Sequence, residues 1–405
     1  MKIFYKTDES IRNREDIAML KQYALKLPGK VFCGENALEK IKDILAAEGA
    51  EHVAVITDKG IRAAGLADLV LEQIERAGVL YTVFDDVPVE PTYQQAQALV
   101  DQCGSVKADL LIAVGGGSVM DAGKLASMLV SGTLTVKDLL ETPGKAKKQV
   151  KTVMVPTTAG TGSEATPNAI VAVPEKELKV GIVNENMIAD YVVLDASMIR
   201  KLPRKIAAAT GIDALAHAVE CFTSNKANPL SDAFSLPALK MILANIERAC
   251  DDPDAMEEKQ VMQLASFYAG VAITASGTTA VHALSYPLGG KYHIAHGVSN
   301  AILLVPVMRF NLKNEAFCAR LAEAYDACYP ANTLVGCAEK ACALIDRMDE
   351  IVRHLDIPNS LKEFNVPESD LETLVEAGMQ VTRLLVNNMR EVTASDARAI
   401  YRQIL

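Results

Sequence analysis

Aromatic residues are scarce in this chain of 405 residues: tryptophan is absent, and aromatic side chains make up only 5% of the total. Proteins that bind single-stranded nucleic acid stack the bases on aromatic side chains, so this scarcity argues against such a role. The formal net charge of −10 also argues against nucleic acid or an anionic membrane as a partner. An anionic small substrate stays open, because a pocket can be locally basic in an acidic protein.

Paired cysteines and long apolar runs are missing as well. The eight cysteines are scattered, with no CxxC motif and no spacing that indicates a disulfide framework. Because the start of the chain also lacks a signal-peptide pattern, we expect reduced thiols and a cytoplasmic location. Charged residues, glycine or proline interrupt the longest apolar runs, so we expect no membrane-spanning segment.

Short apolar runs alternate with helical patterns over the first half of the chain. Such alternation predicts an α/β domain built on a parallel sheet. The clearest predicted strands are residues 52–58, 80–87, 109–118 (a strand that runs into a glycine turn) and 152–158.

The pattern changes near residue 197. From there on, long segments carry apolar residues at intervals of three and four, which predicts an all-helical second domain. We therefore expect an N-terminal extension with some helix (1–25), an α/β domain (26–196) and a helical domain (197–405). No repeat or flexible linker separates the two domains, so they should pack closely around a cleft.

A glycine turn ends the third predicted strand. Gly115, Gly116 and Gly117 precede a predicted helix. Three glycines let the backbone approach a phosphate, and a helix N-terminus offers free N–H groups to an anion. A tight turn without a ligand would have the same sequence, and the motif is not the GxGxxG of ordinary Rossmann folds.

A loop rich in threonine and glycine, residues 156–164, follows the fourth predicted strand. Its hydroxyl and amide groups suit ribose and pyrophosphate oxygens, or they cap the next element. Asp58 ends the first of these strands and is suited either to a ribose 2′-OH or to capping a helix. Ligands bind at the carboxyl ends of parallel strands, so two such loops in one sheet favour a nucleotide site.

Four residues have the spacing of a metal site, although only six histidines occur in the chain. Asp213 and His217 are four apart in a predicted helix and therefore share one face. His282 and His296 follow on either side of a turn. One carboxylate and three imidazoles suit a divalent transition metal, whereas the same residues taken singly would be ordinary surface or core residues.

Together these motifs resemble the iron-dependent (group III) alcohol dehydrogenase family. The matching segments, in family order and at family spacing, are residues 115–124, 156–167, 211–220 and 282–304. The resemblance covers the chain from about residue 28 to the C-terminus. It implies a Rossmann-like dinucleotide-binding α/β domain, an all-α metal-binding domain and a homodimer.

The resemblance also implies roles for individual residues. It assigns the metal-ligand positions to Asp213, His217, His282 and His296. It assigns NAD-binding positions to Asp58, Gly116, Gly117, Ser118, Thr157, Thr158, Thr161, Thr166 and Lys179.

Two departures from the family pattern stand out. Many members carry a second histidine four residues after the third ligand, where this chain has Tyr286. This phenol is suited to a proton relay or only to shaping the pocket, and the nearby His293 either supplies the missing imidazole or lies outside the ligand shell. Many members also have Asn where this chain has Glu90, which puts the local ribose or nicotinamide contacts in question.

The implied reaction is hydride transfer between NAD(H) and a small primary alcohol or aldehyde at Fe(II). Zn, Mn or Ni also suit a ligand set without thiolate. One alternative on the same fold is a hydroxyacid–oxoacid transhydrogenase. A relative of glycerol dehydrogenases or dehydroquinate synthases is disfavoured by the intact ligand set. A non-catalytic binding protein would have lost a ligand or the glycine turn, and neither is lost.

Overall fold

A six-stranded parallel sheet forms the centre of the first half of the chain. The computed structural model describes residues 22–176 and 178–405, so most of the predicted N-terminal extension lies outside the described residues. The strand order is β1-β8-β5-β4-β2-β3. The strands are β1 Lys30–Cys33, β2 His52–Ile56, β3 Leu80–Phe84, β4 Leu110–Gly115, β5 Lys151–Pro156 and β8 Tyr191–Leu194. The four predicted strands form β2 to β5.

Helices cover both faces of this sheet, as a parallel sheet requires. The helices are α1 Lys40–Glu48, α2 Lys59–Ala63, α3 Leu66–Arg76, α4 Tyr93–Ser105, α5 Gly117–Leu129 and α6 Val136–Glu141. Ile41 and Ile44 of α1 and Val70 of α3 pack on one face, while Leu99 of α4 and Met120 of α5 pack on the other.

An antiparallel hairpin leaves the sheet after β5. It consists of β6 (Asn168–Val173) and β7 (Leu178–Val183), with Ala169 paired to Ile182 and Ala172 to Lys179. This hairpin contacts the helix Ala280–Tyr292 of the helical half, so it lies beside the junction of the two halves.

The second half of the chain is helical. Its helices are α7 Arg204–Phe222, α8 Pro229–Asp251, α9 Met256–Ser276, α10 Ala280–Tyr292, α11 His296–Asn311, α12 Glu315–Cys328, α13 Cys337–His354, α14 Leu371–Met379, α15 Thr382–Leu385 and α16 Ala394–Arg402. Nearly every residue of α7 from Ala208 onward is buried, because this helix runs through the core, with Asp213, His217 and Glu220 as buried polar residues on it. The predicted fold class, an α/β domain followed by an all-α domain, is confirmed.

The two halves meet backbone to backbone at one crossing. A Cβ on Gly162, in the loop after β5, would lie 2.6 Å from the Cα of Gly270 in α9. Within residues 22–176 and 178–405, no single helix is long and apolar enough to cross a membrane; α9 and α10 pass that test only as a pair bent by 106°.

Candidate active site

Glycines shape the turn between β4 and α5. A Cβ on Gly115 would lie 2.6 Å from the side chain of Val119, and one on Gly117 would lie 2.9 Å from that of Thr161, so packing excludes larger residues. A Cβ on Gly116 would meet no neighbouring side chain closer than 3.7 Å. The Gly116 backbone is therefore not crowded by side chains at the N-terminus of α5, where free N–H groups attract anions.

The threonine loop lies directly beside this turn. Gly115 and Pro156 are paired in adjacent parallel strands, and the N–H of Thr157 donates to the carbonyl of Gly115 at 3.0 Å. The hydroxyls of Thr157 and Thr158 are buried and have no hydrogen-bond partner among the described residues. Buried polar groups are almost always hydrogen-bonded, so these two hydroxyls keep an unused donor each, but neither residue lines the cleft described below.

A buried lysine joins the two loops. Lys124 Nζ donates to Ser163 Oγ at 2.7 Å, to Thr166 Oγ1 at 3.3 Å and to the Asn168 carbonyl at 2.7 Å. It also lies 3.1 Å from Asp121 Oδ1. Burial lowers the pKa of Lys124, and the neighbouring Asp121 opposes that shift. Lys124 thus fixes α5 against the threonine loop and uses the Thr166 hydroxyl to do so.

Glu90 and Lys179 form an ion pair in the wall of the same cleft. Lys179 Nζ lies 2.5 Å from Glu90 Oε1, and the N–H of Glu90 donates to Ser118 Oγ at 3.0 Å. The φ of Glu90 is +54°, a left-handed conformation that Asn adopts more readily than Glu. The departure at position 90 therefore keeps the backbone shape of the loop and adds a carboxylate that neutralises Lys179.

The four candidate metal ligands converge although they come from three helices. Asp213 and His217 lie on α7, His282 lies on α10, and His296 is the first residue of α11. Their ligand atoms lie within 4.8 Å of one another. Asp213 Oδ1 is 3.7 Å from Nε2 of His282, 3.7 Å from Nε2 of His296 and 3.9 Å from Nε2 of His217. Atoms bound at about 2.1 Å to one shared ion have comparable separations, so the geometry fits a single divalent metal.

Outer partners orient two of these imidazoles. Nδ1 of His282 hydrogen-bonds to the buried carboxylate of Glu220, which also accepts the N–H of Thr279 at 3.0 Å and its hydroxyl at 2.6 Å. Nδ1 of His217 lies 3.2 Å from the carbonyl oxygen of Gly160 in the threonine loop. Because Nδ1 is used outward in both rings, Nε2 is directed at the cluster.

Asn300 marks the point on which the ligand atoms converge. Its Nδ2 lies 2.6 Å from Asp213 Oδ1, 3.1 Å from His282 Nε2 and 3.2 Å from His296 Nε2. Its Oδ1 is buried and has no partner within the described ranges. A carboxylate oxygen and imidazole nitrogens thus point at one centre, and these are the atom types that bind a divalent transition metal.

The protonation of the cluster also suits a cation. Burial opposes the charge of Asp213, but the surrounding imidazoles outweigh it and hold the pKa of this carboxyl well below its usual range. Burial lowers the pKa of His217 and lowers that of His296 to about 4, so both rings are neutral at pH 7. Burial disfavours the charged form of His282 too, but Glu220 raises its pKa to about 9, so a metal would displace a proton there.

Tyr286 and His293 lie in different surroundings. The ring of Tyr286 is 6.1 Å from that of His296, and its hydroxyl accepts from Arg383 Nη2 at 3.3 Å. His293 is exposed, follows the last residue of α10 with a φ of +55° and is not among the residues that line the cleft. The structure thus brings Tyr286 to the cluster and places His293 at the turn between α10 and α11.

Asp58 caps α2, since its carboxylate accepts the N–H of Ile61 at 2.9 Å. It lies at the carboxyl end of β2, next to β4 in the sheet. The capping contact is therefore present, and it is compatible with a second role toward a ribose because a carboxylate accepts several hydrogen bonds.

One cleft of about 520 Å³ joins the two phosphate-type loops to the histidine cluster. Most of the predicted cofactor residues and all four candidate ligands line it. The residues concerned are Gly117, Ser118, Thr161, Thr166, Lys179, Asp213, His217, His282 and His296. A dinucleotide on the loops and a substrate at the cluster would therefore share one space.

Three residues of this site did not emerge from the sequence. Glu220 lies seven residues after Asp213 and so on the same face of α7, a signal that could have revealed it. Asn300 stands four residues after His296 in α11 in the same way. Arg383 had no such signal, because it lies 87 residues after His296, the last of the ligands in sequence.

Comparisons with known proteins agree with this geometry. The family profile "Iron-containing alcohol dehydrogenase" matches residues 28–196, and "Fe-containing alcohol dehydrogenase family, C-terminal" matches residues 207–405. Long-chain-alcohol dehydrogenase 1 of Geobacillus thermodenitrificans is 34% identical, over 91% of this chain and 93% of that protein. NAD-dependent methanol dehydrogenase of Bacillus methanolicus is 29% identical, over 94% and 99%.

Solved structures of alcohol dehydrogenases share this fold. A 1,3-propanediol oxidoreductase superposes with a TM-score of 0.88 at 28% identity, covering 95% of this chain and 100% of that one. The profile matches cover both halves of the chain, and all four candidate metal ligands fall within the C-terminal match. The chain belongs to the iron-containing alcohol dehydrogenase family.

Proposed function

We propose that this protein is an NAD(H)-linked, metal-dependent dehydrogenase that interconverts small primary alcohols and aldehydes. The single observation that supports it most is the shared cleft, in which two phosphate-type loops and a four-ligand cluster face one space. The relatives described above are named for different substrates, so the family supports the reaction and leaves the substrate open.

Asp213, His217, His282 and His296 would hold the metal. The set has one carboxylate, three imidazoles and no thiolate, which suits Fe(II), and Zn, Mn and Ni also bind such ligands. We propose Fe(II) because the family is iron-containing.

The dinucleotide would lie along the two loops at the carboxyl edge of the sheet. We propose phosphate contacts from Gly116, Gly117 and Ser118 at the N-terminus of α5. Asp58 would favour NAD over NADP, because a carboxylate accepts from a ribose hydroxyl and repels a 2′-phosphate. The remaining proposed cofactor contacts are Thr157, Thr158, Thr161, Thr166 and Lys179.

When bound, the metal supplies a Lewis acid for the substrate oxygen, and the nicotinamide supplies or accepts the hydride. In the reductive direction the carbonyl carbon of the substrate gains a hydride and its oxygen gains a proton. Burial raises the pKa of Tyr286, so its hydroxyl keeps its proton at neutral pH and can donate a hydrogen bond at Oη. We propose that Tyr286 donates this hydrogen bond to the substrate oxygen. A proton-relay role for His293 stays a prediction.

Further aspects of the prediction also stay proposals. We place the domain boundary at residue 197, between β8 and α7, and we expect a homodimer, because two-fold assemblies are the commonest oligomers. The eight cysteines are all free, which supports a reducing compartment such as the cytoplasm.

Replacing His282 with alanine tests the proposal. This change removes one ligand, so we expect loss of metal from the purified protein and loss of metal-dependent NADH oxidation with short aldehydes. Elemental analysis, an activity assay and circular dichroism measure the two losses and the fold. The matched control is His354→Ala, at a partly exposed surface position, which should keep both metal and activity. Full activity in His282→Ala would exclude the metal assignment.

A further inference from the structure

We infer that the cleft selects small aldehydes and alcohols that carry an anionic group, a carboxylate or a sulfonate, and that Arg383 binds this group. The inference rests on the proposed function, because it names the substrate class of the same site. It makes Arg383 a residue that determines specificity.

Arg383 lies near the metal cluster, and the ring of Tyr286 is close to both. Its guanidinium carbon lies 5.9 Å from the centre of the Tyr286 ring, and that ring centre lies 6.1 Å from the His296 ring. A substrate with its carbonyl oxygen at the cluster would therefore extend toward Arg383 over a short chain. Long unbranched alcohols would have to displace the guanidinium.

The structure makes room for this guanidinium. A Cβ on Gly181 of β7 would lie 3.2 Å from Arg383 Nη2, so a larger residue there would crowd it. Gly181 on one side and the Tyr286 hydroxyl on the other thus hold the side chain at the cleft wall. The planar guanidinium matches carboxylate and sulfonate oxygens with paired donors.

The positive charge of Arg383 is not paired with a carboxylate in the part of the chain that the structure describes. Among the described residues, Arg383 and Arg402 are the arginines without a carboxylate within 4.0 Å. Of these two, Arg383 lines the cleft.

A second cation lines the same cleft. Lys226 has no ion pair within the described ranges, whereas Lys179 is neutralised by Glu90. Two uncompensated cations in one cleft of a protein with net charge −10 focus a positive potential there. That potential attracts an anionic substrate.

The test compares matched aldehydes. We would measure kcat/KM with NADH for succinic semialdehyde and sulfoacetaldehyde, and for the neutral butanal and propanal. We expect the wild type to prefer the anionic aldehydes, and Arg383→Gln to lower the anionic-to-neutral ratio about 100-fold. Arg383→Lys should recover part of the ratio, and the exposed control Arg402→Gln should leave it unchanged.

A binding measurement separates recognition from turnover. Calorimetry of the NAD-loaded protein with methanesulfonate and with acetate should show binding to the wild type and about 100-fold weaker binding to Arg383→Gln. An equal loss with charged and neutral aldehydes, or no preference in the wild type, would overturn the inference. The absence of NADH oxidation with every aldehyde would instead refute the proposed function.

Discussion

Asp58 carries two possible functions in one carboxylate, and a single substitution separates them. Asn caps helices about as well as Asp but has no charge. We therefore expect Asp58→Asn to keep the free energy of unfolding and to raise the NADPH-to-NADH ratio of kcat/KM about tenfold. Steady-state kinetics and urea denaturation measure the two quantities. If Asp58→Asn keeps the NAD preference and Asp58→Ala costs about 1 kcal/mol, the residue is only a cap.

Glu164 should make the stability of the protein depend on pH. Burial raises the pKa of this carboxyl to about 7, from an ordinary value of 4.5. As the pH rises from 4.5 to 7, the unfolded chain loses this proton while the folded protein keeps it, so this carboxyl lowers the free energy of unfolding. Glu164→Gln should remove that decline, and the variant should gain about 3 kcal/mol relative to the wild type over this range.

Urea denaturation between pH 4.5 and 8 measures this gain. The control is Glu185→Gln, because that side chain is 82% exposed. Parallel pH curves for the wild type and Glu164→Gln would show that Glu164 ionises normally.

For single residues, the sequence predicted which side chains form the site better than it predicted the contacts around them. Spacing placed Asp213 and His217 on one helix face, and the structure does so. It could not predict that the ring nitrogen of His282 meets Glu220, because that contact depends on how α10 packs against α7. It also left both Tyr286 and His293 as candidates for a proton relay, whereas in the structure Tyr286 lines the cleft and His293, at the left-handed end of α10, does not.

The turn between β4 and α5 should lose affinity for NADH when Gly117 is replaced. In Gly117→Ala, the new Cβ would press on Thr161 and push the threonine loop away from the helix N-terminus. We expect NADH to bind at least tenfold more weakly, as measured by fluorescence titration. Alanine favours helices over glycine, so a loss of helix stability would not be the reason.

Gly144→Ala is the control for that experiment. A Cβ at Gly144 would meet no atom within 4 Å, and its φ lies outside the left-handed range. Unchanged NADH affinity in both variants would show that the contact between Gly117 and Thr161 does not shape the cofactor site.

Among the elements, the β6–β7 hairpin shows where the sequence signal was overlooked. Two apolar runs, residues 168–173 and 178–183, flank a short segment that contains proline, which is typical of a hairpin. The strong strand–helix alternation around them predicts the parallel sheet, which is confirmed, and does not indicate a separate hairpin. β1 and β8, of four residues each, are too short to have a clear periodicity of their own.

At the scale of the whole molecule, a bound metal should act as a cross-link among α7, α10 and α11. Ligands that bind only the folded state stabilise it by mass action. We expect removal of metal by a chelator to lower the melting temperature by several degrees, and Fe(II) or Zn(II) to restore it. Differential scanning calorimetry measures the shift. His282→Ala should show little response to either treatment, and an equal response would place the stabilising metal elsewhere.

The contact between His217 and the carbonyl of Gly160 has a consequence for the whole enzyme. It ties a proposed metal ligand of the helical half to the loop proposed to hold the dinucleotide. Where two ligands bias one structural link, each changes the affinity of the other by the same factor. The dissociation constant of NAD, measured with and without metal, would therefore also report how strongly the dinucleotide retains the ion.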